Sequence, residues 1–242
     1  MLTIHPGDTG IKFRRGNYVV EAVPENVSDT ARCTRLGEIS TIEHLMSAFA
    51  GLEITDADVD IDAAELPGLD GSARPYVAAM SSVGFEDIGS RELPDLFTRV
   101  FLHEDQIKIA VSKGTGHWSY TYDTGDRWPG EVTFDCDGVV ENYAKEIAPA
   151  RTFALSEEVP QVLAAGLGKG LREGEVLILG KDGYENEARF SDEPSRHKLL
   201  DLIGDLYLSG VPIKQLNVSA QRSGHRTNVS AAMQLKQALS GV

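Results

Sequence analysis

Three polar residues recur at a spacing of four in Ser195–Gly210, SRHKLLDLIGDLYLSG: His197, Asp201 and Asp205. On a helix, positions four apart lie one above the other, so these form a single imidazole–carboxylate–carboxylate ladder. An imidazole and a carboxylate one turn apart can reach one metal ion, and a second carboxylate one turn on can orient a neighbouring group. For the HxxxD spacing alone, the plainer reading is a polar face open to water. Two further histidines stand in suggestive surroundings. His44 directly follows Glu43 at a helix start, and His225 follows Ser223-Gly224 where a strand passes into a helix and glycine permits a tight turn. Two imidazoles and one carboxylate with a fourth position open make a catalytic zinc set, which His44, His197 and Asp201 would supply. Glu43 would then serve as general base, because zinc lowers the pKa of bound water to ~7 and a nearby carboxylate can take its proton. No local motif such as HExxH ties these residues together, and a Glu-His pair also reads as a first-turn carboxylate beside a packed imidazole. His5, His103 and His117 lack a carboxylate at useful spacing and read as ordinary surface or packed residues.

The elements that must position these groups follow from periodicity. Leu199, Leu200, Leu202, Ile203, Leu206 and Leu208 give the ladder segment an apolar helical stripe. Ser40–Leu52 predicts a second helix, capped by Ser40 or Thr41, with Glu43 in its first turn and Leu45, Phe49 and Leu52 facing a core. Short strands are expected at Leu2–Ile4, Gly10–Arg14, Tyr18–Val23 and Ile54–Ile61, then a glycine-rich turn at Leu66–Ser72 and a helix over Arg74–Ser82. Gly84–Asp95, polar and punctuated, is the expected linker. Beyond it come strands at Phe97–His103, Gln106–Ser112, Trp118–Tyr122 and Val132–Phe134, and helices at Val139–Ile147 and Glu157–Ala165. Arg151–Phe153 reads as a short strand or loop and Val176–Leu179 as a strand. A strand at Ile213–Ala220 and a closing helix at Ser230–Leu239 finish the chain. Each half thus offers strands followed by two helices, an α+β pattern with a weak structural repeat divided as 1–88 and 89–242.

Length and charge narrow the classes. At 242 residues the chain can bury a large core, in one domain or two. Its formal net charge of −14, without a basic block, makes nucleic acid and anionic membrane poor partners. Cys33 and Cys136 show neither disulfide framework nor zinc-finger spacing, and no signal peptide or membrane-length apolar run is visible, so a cytoplasmic chain without a membrane anchor is expected.

The segments TIEHLMSAFAGLEI, ELPGLDGSARPYV, ARTFALSEE, RHKLLDLIGDLYLSG and SGHRTN, in that order, resemble the zinc-dependent UDP-3-O-acyl-N-acetylglucosamine deacetylases of lipid A synthesis. The resemblance runs from about Leu2 to the last helix. It implies a hydrolase that removes the N-acetyl group of an amino sugar or UDP-sugar as acetate. His44, His197 and Asp201 would be the metal ligands, for zinc or for Fe²⁺, which accepts similar donors. Glu43 would be the general base, His225 a protonated general acid, and Asp205 its paired carboxylate. Thr152 would help bind the tetrahedral oxyanion, Phe153 would pack beside the sugar, and Lys198 would lie near the nucleotide phosphates; a lysine at a helix edge reads equally as solvated. The fold implied is two similar α+β domains, each a sheet with helices on one face, with the site between them.

Departures from the family pattern bear on substrate. The chain starts after the strand pair that carries the family's G-x-G-L-H-x-G turn. Leu155–Leu179, with Val159, Val162, Leu163 and Leu167, corresponds to the inserted helix–strand element that forms an apolar passage for the acyl chain. Its glycine-rich turn is replaced around Gly168–Glu173, where Arg172 and Glu173 suit an acyl chain poorly. A deacetylase of another N-acetylated sugar is therefore a rival reading, as is an inactive sugar-nucleotide binder, although a binder has no need of Glu43, His225 and Asp205. The sequence leaves the oligomeric state open.

Overall fold

The computed structural model describes residues 1–89, 99–164 and 174–240, and of Val162, Leu163 and Ser240 only the backbone. In chain order, strands β1 (Leu2–Pro6), β2 (Ile11–Arg15) and β3 (Tyr18–Glu21) precede a small hairpin of β4 (Val27–Asp29) and β5 (Arg35–Leu36). Helix α1 (Glu43–Gly51), β6 (Ala57–Ile61) and α2 (Arg74–Val83) complete the first part. The second part opens with β7 (Val100–Glu104), β8 (Ile107–Lys113), β9 (Trp118–Asp123) and β10 (Glu131–Cys136). There follow α3 (Val139–Asn142), which continues into a π-helical turn over Tyr143–Ile147, β11 (Phe153–Leu155), α4 (Val159–Ala164) and β12 (Leu177–Leu179). Helix α5 (Glu193–Tyr207), β13 (Leu216–Gln221) and α6 (His225–Ser240) close the chain.

The expected repeat has a topological basis. Among the described residues, the four-stranded sheet has the order β1-β6-β2-β3 and the five-stranded sheet β10-β9-β13-β8-β7, beside the two-stranded pairs β4-β5 and β11-β12. In the first, the strand after α1 inserts between β1 and β2, antiparallel to β1 and parallel to β2. In the second, the strand after α5 inserts between β8 and β9, antiparallel to β8 and parallel to β9. Each inserted strand leads to a further helix, α2 or α6. Helices α1 and α5 are thus equivalent elements of the two parts. The alternation that marks these strands in the sequence is the alternation of their burial: Ala57, Val59 and Ile61 in β6, and Leu216, Val218 and Ala220 in β13, face inward. The buried apolar residues of both sheets and of the helices form one continuous cluster.

Helices α1 and α5 pack on each other more extensively than any other pair of elements. All nine residues of α1 are buried, so this helix is enclosed all round. The approach is close because α5 carries Gly204 at the crossing. A Cβ there would stand 2.0 Å from the Glu43 carbonyl oxygen and 3.0 Å from the Ser47 nitrogen. That missing side chain brings the start of α1 against the middle of α5.

Several local expectations need correction. Neither Ser40 nor Thr41 caps α1: the position before the helix is Ile42, with no side-chain cap. Ser40 is held extended by backbone hydrogen bonds to Ala64 and Leu66, and Thr41, at φ 63°, turns its hydroxyl to Glu65. The last helix begins at His225 rather than Ser230, and the helix expected over Val139–Ile147 is α-helical only to Asn142. Residues 165–173, which include Leu167 and the Gly168–Glu173 turn, lie outside the described residues, as do residues 90–98, which take in the end of the expected linker and the start of the strand expected at Phe97–His103. Among the described residues no helix is long and apolar enough to cross a membrane.

Candidate metal and acid–base site

The ladder on α5 is not a solvated face. His197, Asp201 and Asp205 are 3%, 2% and 0% exposed, and each meets a partner from elsewhere in the chain. His44, on the first turn of α1, faces them. His44 Nε2 lies 3.6 Å and His197 Nε2 3.4 Å from the same oxygen, Asp201 Oδ1, and the two rings stand edge-on at 5.1 Å. His44, His197 and Asp201 each offer a ligand atom within 4.8 Å of the others.

The fit of a metal to this group rests on what these atoms lack. Asp201 Oδ1 is buried without a hydrogen-bond partner, and both Nε2 distances exceed a good hydrogen bond. A buried carboxylate oxygen left unsatisfied is costly, whereas three converging lone pairs suit a divalent cation. The surrounding groups orient the set accordingly. His197 Nδ1 donates to the Ala150 carbonyl at 3.1 Å, which leaves Nε2 as the unprotonated nitrogen. Burial, only partly offset by the Asp201 charge, pushes the His197 imidazole down to about 4, so it stands neutral as a ligand must. The second Asp201 oxygen accepts from Lys198 Nζ at 2.9 Å. Burial of Asp201 opposes ionisation, yet His197, Lys198 and His44 together hold its carboxyl well below the usual range.

Glu43 lies beside this group, 3% exposed, with Oε2 accepting from the Thr34 backbone N–H at 3.0 Å. Burial raises its pKa; Asp201 and Asp205 add to the effect, while His225 and His44 oppose it. A carboxylate raised in this way is a better proton acceptor than a solvated one. At the far end of the ladder, Asp205 Oδ2 accepts from His225 Nδ1 and from Asn228 Nδ2, both at 3.0 Å. Burial alone would lower the His225 pKa, but the Asp205 charge and hydrogen bond, with Asp201 and Glu43, raise it to about 9. His225 is therefore an imidazolium at neutral pH, opposite in state to His197.

Phe153 and Lys198 join the rim. The Phe153 ring meets His197 edge-on at 6.0 Å and Tyr122 at 5.1 Å, and Lys198 Nζ lies 5.7 Å from its centre. Lys198 is thus an ion-paired residue rather than a free one. It also lines an adjoining open cavity of about 450 Å³ with Tyr120, Tyr122, Arg222 and Ser223. Thr152 precedes Phe153 and is fixed through its backbone, its N–H bonding the Gly71 carbonyl at 2.7 Å and its carbonyl accepting from Leu177. Among the described residues no hydrogen bond joins its side chain to the His–Asp group.

Four participants were not legible in the sequence. Asn228 follows His225 by three, a spacing that becomes meaningful once the helix is known to start at His225. Thr34 carries no periodic signal at all. Arg151 and Glu193 form a buried pair at 2.8 Å, and Arg151 also reaches the carbonyls of Gly174 and Glu187. This pair clamps the start of α5 to the segment leading into β11, which supplies the Ala150 carbonyl, Thr152 and Phe153.

Residues 1–237 match the family model described as UDP-3-O-acyl N-acetylglycosamine deacetylase. Relatives named UDP-3-O-acyl-N-acetylglucosamine deacetylase include one from Trichormus variabilis, 32% identical over 90% of this chain and 81% of the relative. One from Cellvibrio japonicus is 33% identical over 92% and 78%, and one from Brucella ovis 33% over 94% and 84%. With the match spanning almost the whole chain, the protein belongs to the UDP-3-O-acyl N-acetylglycosamine deacetylase family.

Proposed function

We propose that this protein hydrolyses the N-acetyl group of a UDP-3-O-acyl-N-acetylglucosamine, releasing acetate and a free amine, with a metal ion held by His44, His197 and Asp201. The observation that carries the reading is the buried, partnerless Asp201 Oδ1 facing two imidazole nitrogens. Zn²⁺ is the cation this donor set suits, with Fe²⁺ accepted by similar ligands; when bound it supplies Lewis acidity toward the carbonyl and activates water near neutral pH. Glu43, with its raised pKa, takes the proton of the attacking water. His225, charged and held by Asp205, faces the oxyanion and delivers a proton to the departing nitrogen. Thr152 adds a hydroxyl for the oxyanion, and the Phe153 ring packs beside the sugar. Lys198 lines the adjoining cavity and would lie near the nucleotide phosphates; Arg222, also in that lining, is held by Asp123 at 2.8 Å. In this reading the chain forms two units dividing near residue 88, and the free thiols of Cys33 and Cys136 fit a reducing, cytoplasmic setting.

Acetate release measured side by side on acylated and unacylated UDP-N-acetylglucosamine tests the substrate. The expected result is release from the acylated compound; release only from the unacylated one would overturn the acyl-sugar assignment while leaving an amide hydrolase. The pH profile tests His225. A group raised to about 9 is charged below that pH, so activity that needs the imidazolium falls as pH rises through it. Asp205→Asn removes the charge that raises it, so the basic limb moves to lower pH by roughly 1–3 units. An unmoved limb would take the Asp205–His225 pair out of the mechanism.

A further inference from the structure

Asp205 is wholly buried, and its two oxygens are loaded differently. Oδ2 serves both His225 and Asn228, whereas among the described residues Oδ1 accepts from one group, the Thr34 hydroxyl, at 2.5 Å. Thr34 arrives from the loop before β5, far away in sequence, and is itself 0% exposed. Its backbone N–H donates to Glu43 Oε2 at 3.0 Å, and its carbonyl accepts from the Ile42 N–H at 3.2 Å, where α1 begins. One residue therefore touches both carboxylates that the proposed hydrolysis uses for proton transfer, one through its main chain and one through its side chain.

We infer that Thr34 is a positioning residue of the reaction: its hydroxyl fixes the rotation of the Asp205 carboxylate so that Oδ2 meets His225 Nδ1, while its amide holds Glu43. The torsion that turns an aspartate carboxylate is broad and roughly two-fold, so hydrogen bonds on one oxygen leave the plane poorly defined. A donor on the second oxygen defines it and satisfies a buried acceptor that would otherwise be orphaned. The short bond from a neutral hydroxyl to a carboxylate belongs to the stronger, charge-assisted kind. Thr34 touches no reacting atom, and the inference rests on the acid–base reading of Glu43, His225 and Asp205.

The test is a set of variants assayed as metal-loaded protein on acylated UDP-N-acetylglucosamine. Thr34→Val keeps the amide to Glu43 and nearly the same volume but lacks the hydroxyl, and Thr34→Ala lacks it without crowding the site. Both lower kcat roughly ten- to hundredfold with KM within about twofold of wild type. Thr34→Ser, which restores the donor, returns kcat to within about threefold. In an Asp205→Ala background, Thr34→Val costs less than about twofold further, because the hydroxyl acts through the carboxylate that is already gone. Additive losses in the double variant, a serine that fails to restore kcat, or an unchanged kcat in both valine and alanine variants would overturn the role of Thr34. An Asp205→Ala protein with wild-type kcat would instead remove the acid–base reading itself, which separates the two failures.

Discussion

Glu43→Gln loses turnover by roughly 10²–10⁴-fold while its metal content stays at the wild-type level. The separation follows from geometry. Glu43 is not among the three residues whose ligand atoms converge, so its substitution leaves the cation site whole. Glutamine keeps an acceptor for the Thr34 N–H and fills the same buried space, so the start of α1 is undisturbed. What it removes is a carboxylate whose pKa burial has raised toward the range useful for taking a proton. Measured as kcat and as bound metal per chain on the same preparation, full turnover would exclude Glu43 as the base, and a loss of metal would make it a ligand.

Asp201→Asn lowers metal affinity by about 100-fold or more, beyond the 10–100-fold typical of altering a group that only orients a ligand. The amide lacks the charge that draws a cation to Oδ1, and it presents Lys198 with a neutral partner in place of a buried carboxylate. Without that charge the His44 imidazole also changes: burial lowers its pKa, and it is the adjacent Asp201 carboxylate, with Glu43, that raises it. Activity falls with metal occupancy and recovers only in part at high metal concentration. Competition against a chelator of known affinity measures the change, and an unchanged affinity would exclude Asp201 from the ligand set.

How far the site was legible depends on whether its information is local. The ladder on α5 follows from spacing alone, because four-residue intervals and an apolar stripe fix both the helix and the face on which His197, Asp201 and Asp205 stand. The strands that insert into each sheet show their alternation directly in sequence. The start of α6 was not legible, since HRTN following Gly224 carries no apolar periodicity and the first turn is polar. Thr41 misled for a related reason: a residue of good capping type sits at a positive φ because Ser40 is already bonded to Ala64 and Leu66. Thr34, the Ala150 carbonyl and the Arg151–Glu193 pair were invisible because their meaning is purely tertiary. Thr34 acquires its role only when α1 and α5 are brought together, which the absent side chain at Gly204 allows, and the other two only when the segment before β11 packs on α5.

In the proposed mechanism, amide hydrolysis requires a metal held by the buried His44, His197 and Asp201 group. The most direct measurement is acetate release from acylated UDP-N-acetylglucosamine by one preparation before chelation, after it, and after stoichiometric Zn²⁺ is returned, with bound metal counted at each stage. Activity is expected to vanish with the metal and to return with one ion per chain. Acetate release that persists in metal-free protein would overturn the metal requirement.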